Sequence, residues 1–161
     1  MLGCMSYHVC LVCLGNICRS PMAEVVLRHT LDEHGLGELV TVDSAGTGGW
    51  HVGSGMDERA AAALAAAGYD GSGHRARRFE REWFDHIDLV LAMDAENLRT
   101  LRRIAPPGAD VRLFRSFDPA APEGAEVPDP YYGGPEGFTE VLRMVEAASE
   151  GLVKYLEGIL R

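Results

Sequence analysis

No cysteine follows Cys18 in this chain of 161 residues. All four, Cys4, Cys10, Cys13 and Cys18, crowd the first 18 positions, a poor layout for a disulfide framework and one suited to a reducing compartment. A second cysteine pair is also missing. Cys10-Leu-Val-Cys13 therefore cannot grow into a four-thiolate zinc site, and residues three apart on a strand point to opposite faces. Long apolar runs are absent: 47% of the residues are hydrophobic, yet none of the runs approaches the ~18 residues that cross a bilayer. No charged-then-apolar leader opens the chain, so a cytoplasmic location without a membrane partner is expected, leaderless export remaining compatible with it. Positive charge is scarce, with 15 Lys and Arg against 24 Asp and Glu for a net charge of −9. That balance argues against broad nucleic-acid binding, and it means that an anionic substrate must be drawn in locally, because the overall field repels it.

What the chain does have is the stretch Cys13-Leu-Gly-Asn-Ile-Cys-Arg19-Ser20-Pro21, directly after the apolar run Val9-Cys-Leu-Val12 and directly before a helical pattern. A strand that turns through a short loop into a helix N-terminus gathers backbone N–H groups around one point, where an anion can sit. With a thiol at its start and a guanidinium at its end, such a loop supports attack of a thiolate on a bound phosphoryl group. Cys-x5-Arg alone is a weak signal, since roughly one cysteine in twenty has an arginine six residues on. Its neighbours strengthen it. Gly15 is expected to take dihedrals that other residues resist, and Asn16 to tolerate a left-handed turn. Ser20 offers a hydroxyl, either as the helix cap or to the Cys13 sulfur, and Pro21 suits the first helical position. Thiolates attack where thiols do not, and helix N-termini and neighbouring cations favour the thiolate. Cys10, inside the strand, reads as an inert filler.

The rest of the chain alternates. Short apolar strands are expected over 8–12, 39–43, 89–91 and 111–113, with helices over 21–33, 57–67, 95–104 and 137–160. Asp57 and Asp94 stand where the second and third helices would be capped, and Gly68 closes the second. This predicts an α/β fold: a single doubly wound domain over 1–161, a four-stranded parallel sheet with helices on both faces, and a flexible start over 1–6. Ligands bind beyond the carboxyl ends of the strands in such folds, which is where the Cys13 loop falls. Residues 119–134, rich in proline, glycine and acid, form one long loop of the kind a compact domain keeps only for a reason.

The run from Val12 to Pro21 resembles, without a gap, the V-C-x-G-N-x-C-R-S-P signature of the low-molecular-weight protein tyrosine phosphatase family. The similarity continues through Asp43-Ser-Ala-Gly-Thr-Gly-Gly-Trp-His-Val-Gly53, Gly73-His-Arg-Ala-Arg77, Ala92-Met-Asp-Ala-Glu-Asn97 and Asp129-Pro-Tyr-Tyr-Gly133. Trp50-His51-Val52-Gly53 and Ser116-Phe-Asp-Pro119 look closest to actinobacterial members.

The resemblance implies a hydrolase that cleaves phosphotyrosine through a phosphocysteine intermediate. Cys13 would be the nucleophile, Arg19 would grip the phosphoryl oxygens, and Asp129 would protonate the leaving phenolate and then activate water. Phosphate would rest on the loop from Leu14, Gly15, Asn16, Ile17 and Cys18 to Arg19. Ser20, Ser44 and His74 would brace that loop together with Asn16, and Trp50, Tyr131 and Tyr132 would wall the pocket. Asp94 matches a position near the pocket, although capping its helix accounts for it equally well. In members with a second loop cysteine, here Cys18, it can form a reversible disulfide with the nucleophile, and the two tyrosines are sites of phosphorylation. The implied partners are phosphotyrosine proteins, small aryl phosphates and inorganic phosphate or other oxyanion inhibitors, with no cofactor or metal, no nucleic acid and a monomeric state. Two relatives in fold are less well matched. Thiol-linked arsenate reductases relay a disulfide through downstream cysteines that this chain lacks. Phosphoarginine phosphatases carry threonine where this chain has Ile17, and lack the paired tyrosines.

Overall fold

The strand β1 (Tyr7–Cys13) runs through the middle of the sheet and is buried from Val9 onward. It pairs in parallel with β2 (Val40–Gly46) on one side and with β3 (Leu89–Ala92) on the other; β4 (Val111–Leu113) adds to β3, giving the order β2-β1-β3-β4. The computed structural model describes residues 6–160, so the flexible start expected over 1–6 lies, but for Ser6, outside the described residues. Strands covered on both faces need apolar side chains on both, and β1 and β3 supply them as near-continuous runs.

Alternation along β1 divides the core. Val9, Leu11 and Cys13 face the helices α1 (Arg19–Glu33), α2 (Glu58–Ala66) and α4 (Pro135–Leu160). Cys10 and Val12 face the other way, packing with Phe79, Val90 and Val111 and with Leu101 of α3 (Ala95–Ile104). Cys10 and Cys13 thus belong to opposite faces, as the geometry of a strand requires. Met22, Val26, Leu27 and Leu31 recur at helical spacing on α1, and Val141, Val145, Leu152 and Leu156 answer them from α4. Asp57 caps α2 by accepting from the N–H groups of Arg59 and Ala60, and Asp94 caps α3 by accepting from that of Asn97.

Two boundaries differ from expectation near the site. β2 continues past Asp43 to Gly46, because Ser44-Ala-Gly46 stays paired with the end of β1, Cys13 lying opposite Gly46. Helix α1 begins at Arg19, two residues early. Short 3-10 helices at Arg81–Asp85 and Phe114–Phe117 were not foreseen.

From β1 the chain crosses to β2, and from β3 it crosses the opposite way to β4. A doubly wound sheet opens a crevice where its connections diverge, at the carboxyl ends of those two strands. The loop after Cys13 and the turn after β3 both emerge there.

Candidate active site

Asn16 is the hub of the loop that joins β1 to α1. It is fully buried and takes a left-handed conformation, φ 58°. Its N–H donates to the Cys13 sulfur at 3.3 Å, and its side-chain amide donates to Ser20 Oγ at 2.8 Å and to Ser44 Oγ at 3.0 Å. Its amide oxygen accepts from the N–H of Arg77 at 2.9 Å, and its carbonyl accepts from His74 Nε2 at 2.7 Å. Ser44 and His74 therefore meet the loop at the residue whose conformation is hardest to hold. Two braces were not read from the sequence. One is Arg77; the other is Glu24, whose carboxylate accepts from Ser44 Oγ at 2.6 Å. A lone acid in the second turn of a helix that otherwise turns apolar residues inward was the signal for Glu24.

Two expectations need correction. Asn16 takes the left-handed turn expected of it, but Gly15 does not adopt a positive φ and matters instead because a Cβ there would press to 3.0 Å from the His51 ring. Ser20 does not cap α1. Cys18 holds the cap position with no side-chain bond, while Ser20 and Pro21 are the second and third helical residues. The Ser20 hydroxyl is turned to the sulfur of Cys13, 3.0 Å away. Pro21 is tolerated because a first-turn N–H has no helical partner in any case.

Arg19 is almost wholly buried, and its orientation is fixed. Nη1 donates to Asp94 Oδ2 at 2.6 Å and to the Val127 carbonyl at 3.1 Å, leaving Nε and Nη2 without a hydrogen bond among the described residues. Asp94 divides its oxygens, one for this bond and one for the α3 cap. Burial works against the Arg19 charge, but Cys13, the hydrogen bond to Asp94 and the nearby Asp129 outweigh it, and the guanidinium is held above its ordinary value. Asp129 Oδ2 lies 3.6 Å from Arg19 Nη2, with its other oxygen accepting from the N–H of Tyr131. The long loop that carries Asp129 is tied to the β3–α3 turn: Val127 N–H donates to the Met93 carbonyl at 2.7 Å, and Glu126 accepts from Ala95 N–H at 2.7 Å. That tether brings a residue 116 positions distant in sequence from Cys13 to the same crevice.

Cys13, Arg19 and Asp129 converge on one cavity of about 320 Å³. Leu14, Gly15, Ile17 and Cys18 line it, whereas Asn16, Ser44 and His74 lie outside its lining and act from behind the loop. Trp50, Tyr131 and Tyr132 border it too, but not as deep walls: Trp50 is 74% exposed and Tyr132 93%, with Tyr131 at 37% the most enclosed. Arg59 stacks over the Tyr131 ring, its guanidinium carbon 5.3 Å from the centroid. His51, unassigned from sequence, also lines the cavity. Cys18 is a buried thiol pushed up to about 12, first by burial, then by the charges of Asp57, Cys13 and Asp129. Cys10, buried in the other half of the core, is pushed up by burial and by Asp43.

A parallel α/β sheet with a thiol-to-guanidinium anion loop at its switch point defines a class of phosphoryl-transfer hydrolases. A model of the family described as low molecular weight phosphotyrosine protein phosphatase matches residues 8–159. The chain belongs to that family. A Streptomyces coelicolor low molecular weight protein-tyrosine-phosphatase is 60% identical over 92% of this chain and 93% of its own. The low molecular weight protein-tyrosine phosphatase A of Mycobacterium tuberculosis is 48% identical over 93% and 91%. These relatives agree with the actinobacterial resemblance of the sequence. Among solved structures, a protein tyrosine phosphatase from Entamoeba histolytica with Hepes in its active site superposes with a TM-score of 0.91 at 35% identity, covering 97% of this chain and all of that one.

Proposed function

We propose that this chain hydrolyses phosphotyrosine in proteins to tyrosine and phosphate through a phosphocysteine on Cys13. One observation carries the reading: a sulfur that accepts from a loop N–H shares its cavity with a pinned arginine and with a carboxyl group 3.6 Å from that arginine's Nη2. In the first step the Cys13 thiolate attacks phosphorus. The S–P bond forms as the bond to the tyrosyl oxygen breaks, and Asp129, in its acid form, gives its proton to the departing phenolate. In the second step Asp129, now a carboxylate, takes a proton from water, whose oxygen attacks phosphorus. The S–P bond breaks, phosphate leaves, and the thiolate and the acid are both restored. Loop N–H groups and the planar fork of Arg19 take up charge gathering on the equatorial oxygens. Ser20, already 3.0 Å from the sulfur, donates to it as it departs. Ile17 and Tyr131 give the cavity the apolar lining that an aryl ester fits, in keeping with phosphotyrosine rather than phosphoarginine.

On this reading the whole chain is one catalytic domain that acts as a cytoplasmic monomer, is inhibited by phosphate and other oxyanions and needs no cofactor. Cys18 would form a disulfide with Cys13 under oxidation. No helix among the described residues is long and apolar enough to cross a membrane.

The test is hydrolysis of p-nitrophenyl phosphate by three proteins. Cys13→Ser should be inactive, and retained turnover would overturn the covalent route. Asp129→Ala should lose roughly 10²- to 10⁴-fold in kcat while binding inorganic phosphate almost as before. Equal loss of both would make Asp129 structural.

A further inference from the structure

The surface beside the cavity mouth is not neutral ground. Trp50 leads outward from the cavity to Val52, which is 60% exposed. Next to them lies Arg78: a Cβ on Gly49 would lie 3.3 Å from Arg78 Cδ and 3.9 Å from Val52 Cγ2. The backbone holds this arrangement. Residues 76–79 run alongside 46–54, with Gly46 N–H donating to the Arg77 carbonyl, Phe79 N–H to the Gly46 carbonyl and Gly53 N–H to the Ala76 carbonyl, all at 2.8–2.9 Å.

Arg78 is exposed, and among the described residues its side chain makes no hydrogen bond or ion pair. Its neighbour Arg77 differs: it pairs with Asp43 at 3.5 Å, donates to the Ser44 carbonyl and stacks over Trp83. The loop carrying Asp129 has exposed Glu123 and Glu126, the second already accepting from Ala95 N–H. The Trp50 side of the mouth is therefore apolar and cationic.

We infer that Trp50, Val52 and Arg78 form a docking strip for the substrate chain next to the phosphotyrosine, and that the strip selects a segment with an apolar residue and an acidic one. The inference rests on the phosphatase reading and goes further by naming which phosphoproteins fit. An unpaired guanidinium on a long apolar stem attracts a carboxylate without first breaking an existing pair, and Trp50 and Val52 offer apolar area to the residue beside it. A basic residue at the strip would meet Arg78 as a like charge, so discrimination works by repulsion as well as attraction.

The test compares kcat/KM on p-nitrophenyl phosphate and on two phosphotyrosyl peptides. One carries Asp or Glu within three residues on both sides of the phosphotyrosine, the other Asn or Gln at the same places. Wild type should favour the acidic peptide by roughly three- to tenfold at low salt, and the preference should shrink as salt screens the pair. Arg78→Glu should abolish or invert the preference and leave p-nitrophenyl phosphate turnover within about twofold of wild type. Arg75→Glu makes the same charge change on a residue that lines a different cavity, behind the active loop, and should leave the preference intact. Unchanged peptide preference in Arg78→Glu overturns the docking strip. So does an equal loss in Arg75→Glu, which would trace the preference to net charge. Failure of wild type to hydrolyse p-nitrophenyl phosphate would instead overturn the phosphatase reading beneath it.

Discussion

At the scale of single residues, Asp94 shows how one side chain can serve fold and chemistry at once. Oδ1 caps α3 and Oδ2 orients the buried Arg19. Substitutions can separate the two roles. Asp94→Ala should lose the cap, about 1 kcal/mol, and also the hold on Arg19. Asp94→Ser restores a capping hydroxyl without the carboxylate. It should recover most of the melting temperature lost in the alanine variant, while kcat/KM on an aryl phosphate stays depressed by roughly tenfold or more, since bonds to charged groups are worth about 1.5–3 kcal/mol. Recovery of activity along with stability would show that Asp94 matters only as a cap. Residue types and spacing revealed Cys13, Arg19 and the loop between them, because that chemistry is packed into seven consecutive positions. They did not assign Glu24, Arg77 or His51, whose contribution depends on which element lies against the loop.

Among the elements, α4 is the clearest success of periodicity and holds its most vulnerable contact. Its apolar residues follow one face, as the sequence suggested, but Gly151 looks unremarkable in that pattern. A Cβ there would overlap the carbonyl oxygen of Phe117, in the 3-10 helix after β4. The helix can approach that turn only where the side chain is a hydrogen. Gly151→Ala should therefore cost about 1–3 kcal/mol despite the better helix propensity of alanine, read as a lower urea midpoint. An unchanged or raised midpoint would show that the turn can move aside without cost. The end of β2 and the start of α1 escaped the sequence for a related reason. Ser44-Ala-Gly46 has the composition of a turn and becomes strand through its pairing with β1, and α1 starts early, with Cys18 at the cap position that was one of the two roles open to Ser20.

For the whole molecule, alkali is the informative stress. Tyr7 is held up at about 12 by burial first, then by Tyr155, Asp110 and Asp88, with Arg112 opposing. Tyr69 is held up at about 12 by burial and by its hydrogen bond to Glu146 on α4. The folded chain keeps these two protons after an unfolded chain begins to release them near pH 10, so the stability they contribute is complete below pH 10 and is lost as pH rises toward 12. Melting temperature should fall across that window, and Tyr69→Phe should make the fall shallower while starting from a lower value at neutral pH. An identical slope in the variant would show that Tyr69 ionises freely. The sequence by itself determined the α/β alternation, the parallel sheet and the anion loop, since each rests on neighbours in the chain: apolar period, capping residues, and a thiol and guanidinium six positions apart. Only the tertiary structure decided that Asp129 reaches Arg19, that Asn16 is the hub of the loop and that Arg78 lies beside Gly49 and Val52, because those are contacts between segments dozens of residues apart, set by how the layers pack.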